Sequence, residues 1–309
     1  MADPARPGDR RPALGMSLLV AVAALAFAGC STAPSTSAVP GVSVVVTTTV
    51  LADLVRQVGG DRVAVTSLVP KGGEVHTFDP TPSLVRQVAD ADLLVMNGLG
   101  LDEWLRNLAA DSGSGATVLV LGEDLPDADY IAGEDGEASN PHLWLDVTYA
   151  EAYVERIRAA LEAIDAPGSG TYESNAEAYL GRLRDLDRFA RTTMEAIPPS
   201  QRRVIAFHDA LPYFARAYGL DIVGVVVPAP GQDPSAGYVA SLVDEIRRTG
   251  ARAILSEVQF SPALAQAIAN ETGIKLVGQF YDDTLGDPPV DTYEGLMRWD
   301  VQQLADALR

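Results

Sequence analysis

Three histidines are the residues of this sequence whose types and positions could do chemistry. His76, His142 and His208 are its only histidines, and they lie far apart in the chain. That separation fits no local zinc-finger motif, so a site shared by the three must be assembled by the fold. Neutral imidazole is a good ligand for zinc and related ions, and carboxylate oxygen suits zinc or manganese. The histidines therefore predict a divalent-cation site that a carboxylate completes.

The local context of each histidine is compatible with a ligand. His76 lies in a loop at 71–83 that is punctuated by glycine and proline, His142 follows an Asn-Pro pair, and His208 follows an apolar strand pattern at 204–207. None of the three falls on an apolar helical face. A single histidine is more often structural or exposed than a ligand, and from the pattern alone that alternative stays open.

Strand and helix patterns alternate along the chain from residue 42. An apolar strand at 42–47 and an amphipathic helix at 51–58 begin the series, and similar pairs continue to the C-terminus. This alternation predicts an α/β fold class, with mostly parallel sheets flanked by helices. Since 309 residues exceed what one core usually organises, we expect two lobes, at 42–166 and 200–309.

A long helix is predicted between the two lobes, within residues 167–199. Apolar residues recur there in alternating steps of three and four, which places them on one helical face. They are Tyr172, Ala176, Tyr179, Leu183, Leu186, Ala190, Thr193 and Ile197. A helix of this length acts as a stiff spacer rather than a flexible linker.

The charge of the chain limits its partners. Its net charge of −19 argues against nucleic acid, because binding phosphates requires a basic face. An acidic surface suits a protein that meets cations, but also one that is merely soluble. The acidic segment at 122–139 has the same two interpretations, a solvated loop or an arm that collects cations.

The N-terminus has the pattern of an export signal. Arginines precede an apolar run at 14–27, and small residues follow it up to Cys30, the only cysteine. The run is too short to span a bilayer, which takes about 20 residues. The stretch resembles a bacterial lipoprotein signal, with a signal peptide at 1–29, lipidation at Cys30 and a flexible tether at 30–41. An ordinary secretory signal with an incidental cysteine is the alternative.

Carboxylates also follow predicted strands. In parallel sheets, ligands gather beyond the C-terminal ends of the strands. His208 follows one such end, and Asp282 and Asp283 follow another, after the strand at 274–280. Two lobes with ligands on strand-end loops would meet at a cleft between them.

Five segments resemble, in order, motifs of the zinc/manganese solute-binding proteins of bacterial ABC transporters. They lie around His76, around His142, around His208, at 257–262 and at 281–285. The resemblance runs from about residue 42 to the C-terminus. It implies two lobes joined by one backbone helix, with the ion between them. It also implies Asp283 as fourth ligand rather than Asp282, because Asp283 aligns with the family's Asp-Ser/Thr-Leu.

The resemblance also implies the role of the protein. It would capture a divalent cation outside the cell, anchored to the membrane by lipid, and deliver it to a permease and an ATPase on separate chains. No phosphate-binding Gly-x-x-x-x-Gly-Lys-Ser/Thr loop occurs in the chain, in keeping with that division. We expect it to work as a monomer.

The residues favour zinc, with manganese as the alternative. Family members dedicated to manganese often have Glu where this chain has His208, and manganese prefers oxygen ligands. Zinc-specific members often carry a His-rich loop where this chain is acidic. Glu257 either orients an imidazole or caps the next helix.

Two other functions remain as alternatives. A secreted zinc hydrolase would keep an open position for water on its metal, whereas four protein ligands leave none, and no His-Glu-x-x-His motif is present. We therefore predict that the protein is not an enzyme. A surface adhesin or structural lipoprotein would not need four ligands.

Overall fold

The computed structural model describes residues 41–133, 139–228 and 230–309, in which every strand pair is parallel. The elements before the long helix are β1 Val42–Val46, α1 Thr49–Gly59, β2 Val63–Ser67, α2 Pro82–Ala89, β3 Leu93–Met96, α3 Trp104–Ser112, β4 Thr117–Val120 and α4 Val147–Ile164. The long helix is α5 Ser169–Glu195. After it come β5 Arg203–Ala206, α6 Pro212–Tyr218, β6 Asp221–Val225, α7 Ala236–Thr249, β7 Ala253–Glu257, α8 Ala263–Thr272, β8 Lys275–Phe280 and α9 Tyr293–Leu308.

The first sheet has the strand order β2-β1-β3-β4. Its central strands are almost entirely apolar, with Ser43 the exception, because helices cover both faces of a parallel sheet. Val44 and Val46 of β1 enter one core cluster, and Val45 between them enters another on the opposite face. The near-continuous apolar run at the start of β1 therefore follows from burial on both sides.

The second sheet repeats this arrangement with the order β6-β5-β7-β8. In both sheets, the second strand along the chain lies on one side of the first strand and the third lies on the other. The crevice at such a switch point, beyond the C-terminal ends of the strands, is where α/β sheets bind ligands. In the second sheet the switch point lies between β5 and β7, which pair directly. The predicted α/β fold class, with two parallel sheets flanked by helices, is confirmed.

Helix α5 connects the two sheets in sequence and has 27 residues, which makes it about 40 Å long. Its buried face follows the predicted stripe through Tyr172, Leu183 and Ala190. In the last turn Met194 is buried instead of Thr193, which is half-buried. A strict repeat of three and four residues drifts slowly around a helix with 3.6 residues per turn, so the buried face moves by one residue.

Several predictions concern residues outside the described ranges. The signal peptide at 1–29, the lipidated Cys30 and the tether up to residue 40 lie there, as does 134–138 of the acidic segment. Within the described ranges, no helix combines the length and the apolar character that crossing a membrane requires.

Candidate metal centre

The structure brings together the four side chains that the sequence pointed to. His76 lies in the loop after β2, His142 just before α4, His208 two residues after β5, and Asp283 after β8. One nitrogen from each imidazole and one oxygen of Asp283 all lie within 4.8 Å of one another. Four loops from different parts of the chain therefore converge on one point.

The distances between these atoms are short and even. The Nε2 atoms of His142 and His208 are 3.3 Å apart. Asp283 Oδ1 lies 3.4 Å from His142 Nε2, and Asp283 Oδ2 lies 3.5 Å from His76 Nε2 and 3.8 Å from His208 Nε2. The imidazoles thus present Nε2, and not Nδ1, to the shared point.

Several of these atoms are buried and have no hydrogen-bond partner among the residues that the structure describes. They are both carboxylate oxygens of Asp283 and Nε2 of His76. Buried polar atoms are nearly always paired, so a cluster of unpaired ones needs an explanation. A cation at the shared point would accept their lone pairs and remove the cost of burial.

The far side of two imidazoles is held by acceptors. Nδ1 of His142 lies 3.0 Å from Asn140 Oδ1, and Nδ1 of His208 lies 2.5 Å from Glu257 Oε2. The backbone N–H of His208 also donates to Glu257 Oε1, at 3.3 Å. An acceptor at Nδ1 keeps the proton there and leaves Nε2 free to bind a metal. Both oxygens of Glu257 thus face His208.

The neighbourhood of Glu257 follows from the strand order. β7 ends at Glu257 and pairs with β5, which leads to His208, so their C-terminal ends lie side by side. Helix α8 has Pro262 at its N-cap with no side-chain cap. Of the two interpretations of Glu257, the contacts therefore match the one in which it orients an imidazole.

The pKa values of the residues in the cluster are shifted in different directions. Burial lowers the pKa of His142 well below its usual value. Burial acts in the same direction on His208, but the adjacent Glu257 carboxylate outweighs it and raises the pKa of His208 well above the usual value. Burial alone would raise the pKa of Asp283, yet the imidazoles of His142 and His76 lower it below the usual range. The cluster therefore keeps an ionised carboxylate at its centre.

Asp282 is buried beside the cluster in a different role. Its Oδ1 accepts hydrogen bonds from Gln259 Nε2 at 2.6 Å and from the backbone N–H of Asp283 at 2.7 Å. Its Oδ2 lies 3.7 Å from His208 Nδ1, on the side of the ring that faces away from the shared point. Burial raises the pKa of Asp282 well above its usual value. Asp282 thus supports the loop while Asp283 faces the three Nε2 atoms.

Trp144 connects two of the converging loops. Its ring lies 5.3 Å from that of His142, and its Nε1 donates to the carbonyl of Asp282 at 3.0 Å. The hydroxyl of Tyr293 in turn donates to the carbonyl of Trp144 at 2.6 Å. The segments that carry His142 and Asp283 are therefore joined by protein contacts.

Access to the cluster is from the side of His76. Its side chain is 12% exposed, whereas those of His142 and His208 are each 2% exposed. An ion would reach the buried nitrogens past His76.

Asn140 contacts His142, and the sequence does not predict this contact. Asn140 belongs to the Asn-Pro-His motif, and an asparagine side chain often accepts a hydrogen bond from the backbone N–H two residues later. The structure has this bond, from His142 N to Asn140 Oδ1 at 3.1 Å. The signal was present in the Asn-Pro-His sequence, but it does not reveal the second contact to the imidazole.

Comparison with known proteins identifies the family. The family model described as zinc-uptake complex component A, periplasmic, matches residues 44–307. The manganese-binding lipoprotein MntA of Halalkalibacterium halodurans is 31% identical over 296 residues, which cover 94% of this chain and 97% of MntA. The iron-binding protein YfeA of Yersinia pestis is 30% identical, with 85% of each chain covered.

Solved structures of periplasmic metal-binding proteins are also similar to this chain. The Mn-bound periplasmic metal binding protein of Candidatus Liberibacter asiaticus superposes with a TM-score of 0.77 at 27% identity, covering 87% of this chain and 100% of that one. The periplasmic zinc binding protein TroA of Treponema pallidum shares the fold, with a TM-score of 0.80 at 24% identity and coverage of 87% and 99%. Neither a hydrolase nor an adhesin is supported by these matches. The chain therefore belongs to the family of metal-binding, substrate-binding proteins of ABC transporters.

Proposed function

We propose that this protein binds one divalent transition-metal ion through His76, His142, His208 and Asp283 and delivers it to an ABC importer. The observation that carries the proposal is the convergence of three Nε2 atoms and the unpaired Asp283 oxygens on one buried point. The metal is the cargo of the protein and takes no part in a reaction.

The types of the ligands and their spacing support zinc as the ion. A tetrahedral zinc site with bonds of about 2.1 Å has ligand atoms about 3.4 Å apart. Four distances within the cluster, 3.3, 3.4, 3.5 and 3.8 Å, are near that value, with Asp283 contributing Oδ1 to one of them and Oδ2 to two. Three nitrogens and one carboxylate suit zinc, whereas manganese prefers more oxygen ligands. Manganese remains the alternative, since one relative is named for manganese and another for iron.

The same proposal covers location and organisation. Relatives named as lipoproteins of metal ABC transporters support a signal peptide at 1–29, a lipid anchor at Cys30 and a tether at 30–41. The protein would then work outside the cytoplasm as a monomer, with a permease and an ATPase on other chains. Its lobes would span 42–166 and 200–309, joined by the helical segment at 167–199.

The test offers both metals to the protein at once. Chelator-treated protein is incubated with equal concentrations of zinc and manganese, separated from free ions, and subjected to elemental analysis. We expect about one zinc per chain and little manganese, because zinc binds a given nitrogen and oxygen site more tightly. Manganese in excess of zinc would refute the choice of ion, and no bound metal would refute the proposed function.

Two variants of one loop provide the matched control. Asp283→Asn removes the carboxylate of the cluster and should lower the zinc retained after separation to well below one per chain. Asp287→Asn removes an acid four residues away whose side chain is 94% exposed and faces Lys71 at 3.5 Å. That variant should keep the metal, and equal loss in both would contradict a specific role for Asp283.

Zinc affinity is also expected to fall on acidification. Protons compete with the metal for imidazole nitrogen, and the Glu257 carboxylate raises the pKa of His208 above its usual value against the effect of burial, so this competition begins at His208. The imidazoles hold the pKa of Asp283 below its usual range, so this carboxylate stays ionised and the loss comes from the histidines. Burial lowers the pKa of His142 well below its usual value, so His142 takes up a proton only at lower pH, and titrations should show the affinity for zinc decreasing steadily as the pH falls. A flat profile, with folding checked at each pH, would exclude imidazole ligands.

A further inference from the structure

We propose that Asn140 is a positioning residue that fixes which nitrogen of His142 is free to bind the metal. The inference deepens the proposed function and depends on it. Asn140 is 2% exposed and lies two residues before His142, in the segment that leads into α4. It is hydrogen-bonded through all of its polar atoms, and these bonds leave its amide one orientation.

Backbone groups determine that orientation. Nδ2 of Asn140 lies 2.6 Å from the carbonyl oxygen of Asp209, which can only accept a hydrogen bond. Oδ1 of Asn140 lies 3.1 Å from the backbone nitrogen of His142, which can only donate. A flipped amide would place two donors together and two acceptors together. The amide oxygen therefore faces His142.

The orientation of the amide determines the tautomer of the imidazole. The same Oδ1 lies 3.0 Å from Nδ1 of His142, so Nδ1 must carry the proton. Nε2 then has a lone pair, and it is this atom that lies 3.4 Å from Asp283 Oδ1. In free histidine, the neutral ring carries its proton mainly on Nε2. Asn140 thus reverses the intrinsic preference before any metal arrives.

The contacts of Asn140 also join the two halves of the cluster. Asp209, which accepts from Asn140 through its carbonyl and at 3.0 Å through Oδ2, is the neighbour of His208 in the chain. The carbonyl of Asn140 accepts from the hydroxyl of Tyr213 in α6, at 3.1 Å. Its backbone N–H donates to the carbonyl of Ile131 at 2.8 Å. The segment that carries His142 is therefore fixed to the element that follows His208.

An aspartate at position 140 could not make the same hydrogen bonds. It could accept from His142, but its second oxygen would face the carbonyl and the carboxylate of Asp209, both of which are acceptors. A neutral amide accepts on one side and donates on the other, so it satisfies both neighbours. At His208 a carboxylate is suitable instead, because both oxygens of Glu257 accept hydrogen bonds from His208 itself.

The first experiment needs no variant. Nitrogen-15 chemical shifts of the histidine rings, measured in full-length metal-free protein at neutral pH, distinguish the two tautomers. We expect His142 to have its proton on Nδ1. A proton on Nε2, or a mixture of the two forms, would overturn the inference.

The second experiment compares Asn140→Ala with Asn175→Ala. Asn175 is a partly buried asparagine of α5 whose Nδ2 donates to the carbonyl of Val58, so its removal controls for losing an amide contact. We expect Asn140→Ala to bind one zinc about 10–100-fold more weakly, as for other residues that orient a ligand. The ring of His142 should also shift toward the Nε2–H tautomer. Asn175→Ala should keep both properties of the wild type.

The outcomes separate the two proposals. If wild-type protein binds zinc and Asn140→Ala keeps both the affinity and the tautomer, Asn140 does not position His142. If wild-type protein binds no metal, the proposed function fails instead. A weaker affinity with an unchanged tautomer would also overturn the inference, because the loss would then be a general structural effect.

Discussion

Zinc added to chelator-treated protein is expected to raise the midpoint of thermal unfolding by about 10 °C. The four proposed ligands come together only in the folded chain, so the ion stabilises the folded state and not the unfolded one. At free zinc 1,000-fold above Kd the gain is about 4 kcal/mol. For a domain of this size, each kcal/mol shifts the midpoint by about 2–4 °C. Differential scanning calorimetry with and without zinc measures the shift.

Magnesium is the control ion for this measurement. It requires near-octahedral oxygen coordination, which three imidazoles and one carboxylate do not supply, so it should leave the midpoint almost unchanged. A midpoint that zinc does not move would contradict binding to the folded state. A shift of equal size with magnesium would indicate a general effect of divalent charge on an acidic protein.

The positions of the candidate ligands at strand ends could be predicted because parallel sheets impose them. The apolar run before His208 indicates a buried strand, and such strands end at the edge of the sheet where ligands bind. The same rule applies to Asp283, which follows β8. It also explains why Glu257, at the end of the neighbouring strand β7, lies against His208. These positions follow from strand order and direction.

Other features of the site depend on contacts that have no local pattern. Asp282 and Asp283 are adjacent acids in one loop, and only the fold makes one face the imidazoles and the other face Gln259. The contact between Asn140 and Asp209 joins residues from different halves of the chain. His142 lies late in the long segment between β4 and α4, far from the end of the strand, so strand-end reasoning does not locate it beside the other ligands.

His208→Ala is expected to weaken zinc binding by at least about 100-fold. Four-ligand zinc sites bind with about 10–16 kcal/mol, so one ligand contributes roughly 3 kcal/mol, which is about 100-fold in Kd. The single variant also leaves Glu257, 1% exposed, without the imidazole that now pairs with it. Breaking a buried pair in this way costs about 3–5 kcal/mol of folding stability. Its loss of zinc binding could therefore reflect poor folding alone.

The double variant His208→Ala, Glu257→Gln separates the ligand from the fold. It removes the stranded charge, so we expect it to recover most of the stability while still binding zinc at least about 100-fold more weakly than the wild type. Glu257→Gln alone keeps one acceptor oxygen for Nδ1 of His208 but replaces the oxygen that accepts from the backbone N–H of His208 with a donor, so it should retain one zinc per chain with an affinity between those of the wild type and the double variant. Calorimetric titration of the three variants measures these affinities. Wild-type affinity in the folded double variant would remove His208 from the site, and the convergence of the three Nε2 atoms would then need another explanation.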